Sequence, residues 1–141
     1  MSEAAEYGSA VTFRCGGELF AFRIGEVIEI NTRTDYTFVP KLPKYIVGVL
    51  NLMGDVIPVV DFRRRLGFPD IEYGIRSCQI VVRHEEYVAA VRVDGVNTSI
   101  ELTQDNYLSL PDSDSIISGY ITDSDGGRIS LINTERFFDI K

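Results

Sequence analysis

The sequence predicts an all-β protein, a small barrel or sandwich, and three observations carry that expectation. Apolar stretches of strand length recur at a spacing of roughly 8–12 residues. Turns containing Gly or Pro separate them. Helical patterning is confined to two short stretches, one after Asp61 and one after Asn133.

In chain order, Val11–Cys15 alternates apolar and polar residues as a half-buried strand does, Gly16-Gly17 reads as a turn, and Glu18–Arg23 returns. Beyond Gly25, Glu26–Ile30 alternates again. Ile28 and Ile30 share one face, and Val27 and Glu29 share the other, which we expect to be the partly exposed one. Asn31–Asp35 is a polar loop, Tyr36–Val39 a short extended piece, and Pro40-Lys41-Leu42-Pro43 a rigid connection with two fixed φ angles.

The rest of the chain is organised around Val47–Asp61. Two β-branched runs flank the turn Met53-Gly54-Asp55, so the stretch reads as a hairpin. Pro58 has no N–H to donate, so its strand must leave at least one side free at an edge or a bulge. Phe62–Leu66 is a helical turn stopped by Gly67 and Pro69. Ser77–Arg83 and Tyr87–Asp94 are strands joined by His84-Glu85-Glu86, followed by Val96, Ser99–Leu102, Tyr107–Leu110 and Ile116–Thr122. Asp123–Gly127 is a turn leading into Arg128–Ile132. Thr134–Ile140 then reads as a short helix that offers Phe137, Phe138 and Ile140 to the core.

A chain of 141 residues suits one domain with a real core. No apolar run approaches the roughly 18 residues of a membrane span. The acidic start Met1–Glu6 lacks the basic and apolar regions of a signal peptide, so a cytoplasmic protein is expected. Cys15 and Cys78, both in strand-like runs, read as buried reduced thiols in preference to a disulfide or a metal site. The net charge is −7, with 8 basic and 9 acidic residues in 1–70 against 6 and 12 in 71–141. That balance disfavours nucleic acid as a partner, since phosphate binding depends on clustered Lys and Arg. Arg63, Arg64 and Arg65, with Lys41 and Lys44, form a local basic exception, either a solvated turn or a docking patch for an acidic protein surface.

Catalytic chemistry finds little material. His84, the single histidine, sits in a Glu-rich turn and reads as a surface imidazole. Asp55 and Asp61 lie six residues apart along a strand, roughly 20 Å, too far for a cooperating carboxylate pair. Asp123-x-Asp125-Gly126-Gly127 misplaces the Gly of a calcium loop, and Thr134 stands where such a loop ends in Glu. Gly16-Gly17 and Gly126-Gly127 join strands to strands, with no helix N-terminus to receive a phosphate. We therefore expect no enzyme, cofactor or metal.

Gly48-Val49-Leu50-Asn51-Leu52-Met53-Gly54, then Pro58-Val59-Val60-Asp61-Phe62, resembles the signature of the CheW-like domain family, the coupling proteins of bacterial chemotaxis arrays. So do Phe13 and Phe20, Val27-Ile28-Glu29-Ile30, Val93-Asp94-Gly95-Val96, and Leu131–Glu135. Departures lie at Met53, where the family usually has Arg, at Ala89-Ala90, where it usually has a Gly, and around Tyr107–Gly119, which is shorter than usual. The resemblance implies two small five-stranded SH3-like β-barrels packed side by side with short helices. The first would span roughly residues 9–70 with closing elements from the C-terminus, and the second roughly 71–133. It implies an adaptor with two partners, the regulatory domain of a CheA-type histidine kinase and the cytoplasmic helical tip of a methyl-accepting chemotaxis receptor. By resemblance, Val27, Glu29, Thr37, Gly48, Ala90 and Val96 belong to or border a receptor groove between the barrels, although packing accounts equally for Gly48 and Val96. Asn51, Met53 and Gly54 fall at a kinase or receptor contact, where Met53 is either neutral drift or an adaptable apolar contact. A small barrel binding nucleic acid or a small ligand is the alternative.

Overall fold

The computed structural model describes residues 7–33, 35–69, 73–111 and 115–139. Among the described residues, eleven strands form two sheets. The first contains β1 (Ser9–Cys15), β2 (Glu18–Arg23), β8 (Gly95–Glu101), β9 (Tyr107–Ser109), β10 (Ile117–Thr122) and β11 (Arg128–Ile132), in the order β8-β1-β2-β11-β10-β9. The second contains β3 (Val27–Asn31), β4 (Ile46–Leu52), β5 (Asp55–Asp61), β6 (Cys78–His84) and β7 (Tyr87–Val93), in the order β3-β6-β7-β5-β4. Helix α1 spans Phe62–Leu66 and α2 spans Thr134–Phe137; Ile140, expected on the second helix, lies outside the described residues.

Strand pairing does not divide near residue 70. The hairpin β1–β2 joins β8 and β11 in the first sheet, while β3, β4 and β5 join β6 and β7 in the second. The chain crosses between sheets at Ile24–Glu26, a single 3-10 turn, and again at Asp94.

Three apolar clusters explain why the inner strands read as continuous hydrophobic runs. Phe13, Phe20, Phe22, Val60, Phe62, Ile80, Val82, Val91 and Phe137 are buried in the core that the two sheets share. Ala10, Ala21, Ile121 and Leu131 pack on the other face of the first sheet, and Leu50, Ile57, Val59, Val81 and Ala90 on the other face of the second. A sheet that buries both faces, one of them with its own strands, must curl over on itself. Ile80-Val81-Val82 and Phe20-Ala21-Phe22 are therefore apolar at every position, as strands covered on both sides are. Within the shared core, Phe62 stands edge-on to Phe13 at 4.9 Å and to Phe20 at 4.8 Å between ring centroids.

Several expectations change. On β3 the half-buried face carries Val27, Glu29 and Asn31, whereas Ile28 and Ile30 face outward, 48% and 45% exposed. A register shift against β6 between Val27 and Glu29 accompanies this arrangement. Arg63 is neither solvated nor available for docking, because it is buried and paired with Asp94. Arg65 turns inward too, over the Tyr45 ring, and donates to the Phe137 and Arg136 carbonyls at 2.9 and 2.8 Å, satisfying the end of α2. His84 is not a plain surface imidazole. Its Nδ1 lies 3.7 Å from the Glu26 carboxylate, which also accepts from the Thr134 hydroxyl. Cys15 and Cys78 are buried free thiols, and Asp123 closes its turn by accepting from the Asp125 and Gly127 amides at 2.9 and 2.7 Å.

Candidate functional site

The site grows from a single missing donor. β5 runs antiparallel to β4 from Asp55 onward but pairs with β7 only from Val59, through Val59↔Ala90, Val60↔Val91 and Asp61↔Arg92. Pro58 stands where that second ladder begins. The stretch of the hairpin beyond it, Asp55 to Ile57, therefore stands beside the start of β7 outside that ladder, which is the free side that Pro58 demands.

The gap is a groove of about 880 Å3 lined by Met53, Val56 and Pro58 of the hairpin, Tyr87 and Val88 of β7, Ile28 of β3, and Phe138. Its apolar members are unusually exposed: Met53 95%, Val56 68%, Tyr87 58%. Clustered exposed apolar side chains of this kind mark an interaction surface. Three carboxylates, Asp55, Glu86 and Asp139, and one cation, Arg83, also line it.

The hairpin tip is held by its own polar residues. The Asn51 side-chain oxygen accepts from the Gly54 amide at 3.0 Å, and the Asn51 carbonyl accepts from Arg33 at 3.0 Å. Met53 takes φ = 50° and Gly54 φ = 92°, so the turn places a side chain at a left-handed position that usually favours Gly or Asn. Asn51 and Gly54 thus shape the turn, while Met53 projects from it.

At the other end of the hairpin the polar residues of the signature are also architectural. Asp61 caps α1 by accepting from the Arg64 amide at 3.3 Å and takes a 2.7 Å bond from the Tyr73 hydroxyl. Asp94, where the chain changes sheets, pairs with Arg63 and accepts from the Gly16 amide at 3.0 Å. The guanidinium carbons of Arg63 and Arg92 lie 4.2 and 4.7 Å from the Tyr73 ring centroid. Burial, with the Asp94 carboxylate adding to it, pushes the nearby Cys15 thiol up to about 12. Burial together with the Asp61 bond raises the Tyr73 hydroxyl.

The residues expected at a receptor groove separate into two groups. Ala90 is fully buried between β5 and β6, and Gly48 is buried where β4 meets the Tyr36–Thr37 segment. A Cβ on Gly48 would lie 2.5 Å from the Thr37 carbonyl oxygen, so this glycine permits the 2.7 Å bond from the Thr37 amide to the Val49 carbonyl. Neither residue offers a side chain to a partner. Val27 of the second sheet and Val96 of the first both lie half-buried against the shared core, with Glu29 partly exposed and Thr37 exposed. Sequence reasoning missed Ile28, Val56 and Tyr87, since lone apolar residues in strands look like core. Only the free side required by Pro58 pointed toward them.

Comparison with known proteins agrees with this geometry. A family model for the CheW-like domain matches residues 9–141. The chemotaxis protein CheW of Rhizobium meliloti is 35% identical over 72% of this chain and that of Helicobacter pylori 30% identical over 73%; the matched stretches span 66% and 62% of those proteins. The crystal structure of the scaffolding protein TtCheW from Thermoanaerobacter tengcongensis superposes with a TM-score of 0.85 at 26% identity, covering 94% of this chain and 93% of that one. The two curled sheets, of six and five strands where the resemblance implied five in each, are the paired SH3-like barrels of that fold. With its signature residues serving the barrels in this way, the chain belongs to the CheW-like domain family.

Proposed function

We propose that this chain is a non-catalytic cytoplasmic adaptor that couples a methyl-accepting chemoreceptor to a CheA-type histidine kinase. The exposed apolar groove beyond Pro58 carries this reading: Val56, Tyr87, Ile28 and Met53 surround a recess that a protein side chain fills better than water does. The kinase regulatory domain, itself a small barrel in this family, seats there. The receptor's helical tip lies along the seam between the sheets, with Val27 and Val96 as apolar anchors and Glu29 and Thr37 as its polar rim. A lack of catalysis fits the way the polar groups are used. Asp61, Arg63 and Asp94 are committed to holding α1 and the sheet crossing, and His84 faces Glu26 and Thr134.

The test is calorimetric titration with the regulatory domain of a CheA-type kinase and, separately, with a receptor tip fragment. We expect saturable binding of the regulatory domain that Val56→Asp weakens by a factor of ten or more, on the order of 1.4 kcal/mol, without shifting the melting temperature. Failure of both fragments to bind sinks the adaptor reading. Binding of the regulatory domain that ignores Val56→Asp moves the contact elsewhere.

A further inference from the structure

A second groove, of about 550 Å3, shares no lining residue with the first. It lies between the Tyr36–Lys44 segment, the start of β4 and α1, and its charged lining residues are all cations: Lys41, Lys44 and Arg64. On a chain of net charge −7 this is a local reversal of sign. Lys41 and Lys44 are exposed, and no carboxylate among the described residues pairs with either. Beside them Phe38 is 75% exposed and Leu42 39%.

The backbone of the segment is constrained in spite of its exposure. Pro40 and Pro43 fix two φ angles, Lys41 sits at φ = 68°, and the Ile46 amide donates to the Pro43 carbonyl at 3.0 Å. Arg64 is set beside Lys44 by donating to its carbonyl at 3.1 Å. A backbone constrained in this way loses less freedom on binding than a free loop does, which is how a pre-organised surface gains affinity. We propose that this groove docks an acidic segment of a partner protein, an extended peptide whose carboxylates face Lys41 and Lys44 and whose aliphatic or aromatic side chain packs on Phe38 and Leu42. Lys41 and Lys44 suffice for one or two carboxylates, Arg64 being engaged already with the Asp61 carboxylate at 3.9 Å and the Lys44 carbonyl. They are few for a polyphosphate backbone, whose binding depends on many neutralising Lys and Arg contacts. Peptide docking here is independent of the adaptor reading, because it concerns different residues and a different partner chemistry.

The test uses fluorescence anisotropy on the full chain with a labelled peptide, Glu-Asp-Leu-Phe-Glu-Asp-Leu-Glu, its Gln/Asn counterpart, and an oligothymidylate of equal charge. We expect saturable binding of the acidic peptide. Lys41→Glu combined with Lys44→Glu should weaken it at least about tenfold, and Phe38→Ser severalfold. The amide peptide should bind about tenfold more weakly, and Val56→Asp in the other groove should change nothing. Melting curves establish that the surface variants stay folded. Absence of peptide binding, or binding indifferent to the charge reversal, overturns the proposal. An oligothymidylate that binds as tightly and responds to the same variants makes the groove a phosphate site and overturns it as well. Self-association of the free protein that the double variant abolishes assigns the groove to a contact between copies, with the same result.

Discussion

The two ends of the central hairpin do opposite work with similar residues. At its base, Val59 and Val60 pair with strands on both sides, Asp61 pairs with Arg92 of β7 and donates to the Tyr45 carbonyl at 2.7 Å, and all three are buried. At its tip, Asp55 to Ile57 pairs with β4 and not with β7, and Val56 and Met53 are left in solvent. Both ends are β-branched and apolar, so composition does not tell them apart. Pro58 does, because the second ladder cannot include an amide that lacks its hydrogen. Asn51, Gly54, Asp61 and Asp94 of the motif hold the fold, whereas the exposed apolar side chains around the groove, Ile28, Met53, Val56 and Tyr87, belong partly to the motif and partly to positions outside it.

The comparison breaks hardest at the base. Arg63→Ala leaves the Asp94 carboxylate facing a space that its partner filled, next to Asp61 and the Tyr73 ring. Removing one member of a buried pair costs about 3–5 kcal/mol, and the partial exposure of Asp94 puts this case near the lower figure. Chemical denaturation of the variant measures it. A loss below about 1 kcal/mol would mean that the pair is not what holds the crossing between sheets.

At the tip, stability and binding should separate. Tyr87→Ala removes an exposed ring from the groove wall, so folding should change by less than about 0.5 kcal/mol. Binding to the kinase regulatory domain should weaken by about 2 kcal/mol if the ring is a contact anchor. Melts and titrations on one preparation read both numbers, and a variant that loses stability and binding together would place Tyr87 in the core.

The base also carries a pH signature. The folded Cys15 thiol ionises near 12, against an ordinary value near 9, and stays neutral where an unfolded thiol has lost its proton. Stability from this group is complete below about pH 9 and drains away as pH rises toward 12, with Tyr73 acting in the same direction. Melting temperature should fall from pH 8 to pH 10.5, and Cys15→Ala should flatten the fall, whatever its cost at neutral pH. A fall of unchanged slope would assign the alkaline loss to other groups.

Much of this architecture is legible in the amino-acid sequence. The hairpin, its turn, the helix after Asp61 and the order of strands follow from alternation, Gly and Pro. The sheet partners do not, since β1 pairs with β8 across more than eighty residues and nothing local encodes that register. The outward face of β3 misleads because Ile28 and Ile30 are the larger apolar residues, and tertiary contacts put Val27 inward instead. Arg63 misleads because three consecutive arginines look like one solvated patch. A five-residue helix points them in different directions, and only Arg64 reaches the groove lined with Lys41 and Lys44.

The smallest expected effect is at Met53, where the hairpin comparison is sharpest. The side chain is almost wholly exposed, so Met53→Arg exchanges one solvated chain for another at the same backbone angles and should alter stability by no more than about 0.5 kcal/mol. Met53→Gly tests the backbone instead. The native φ of 50° is unfavourable for a side chain and open to glycine, so relief of that strain opposes the greater freedom glycine gives the unfolded chain. Glycine should therefore come out equal to methionine or more stable by a few tenths of a kcal/mol, where an ordinary strand position would lose roughly 0.5–1 kcal/mol. For partner binding, Met53→Ala should cost on the order of 1 kcal/mol, because the thioether lines the groove and adapts to what fills it. If Met53→Arg destabilises by several kcal/mol the tip is buried and the contrast between the two ends fails. If Met53→Ala binds every partner as the parent does, the groove begins at Val56.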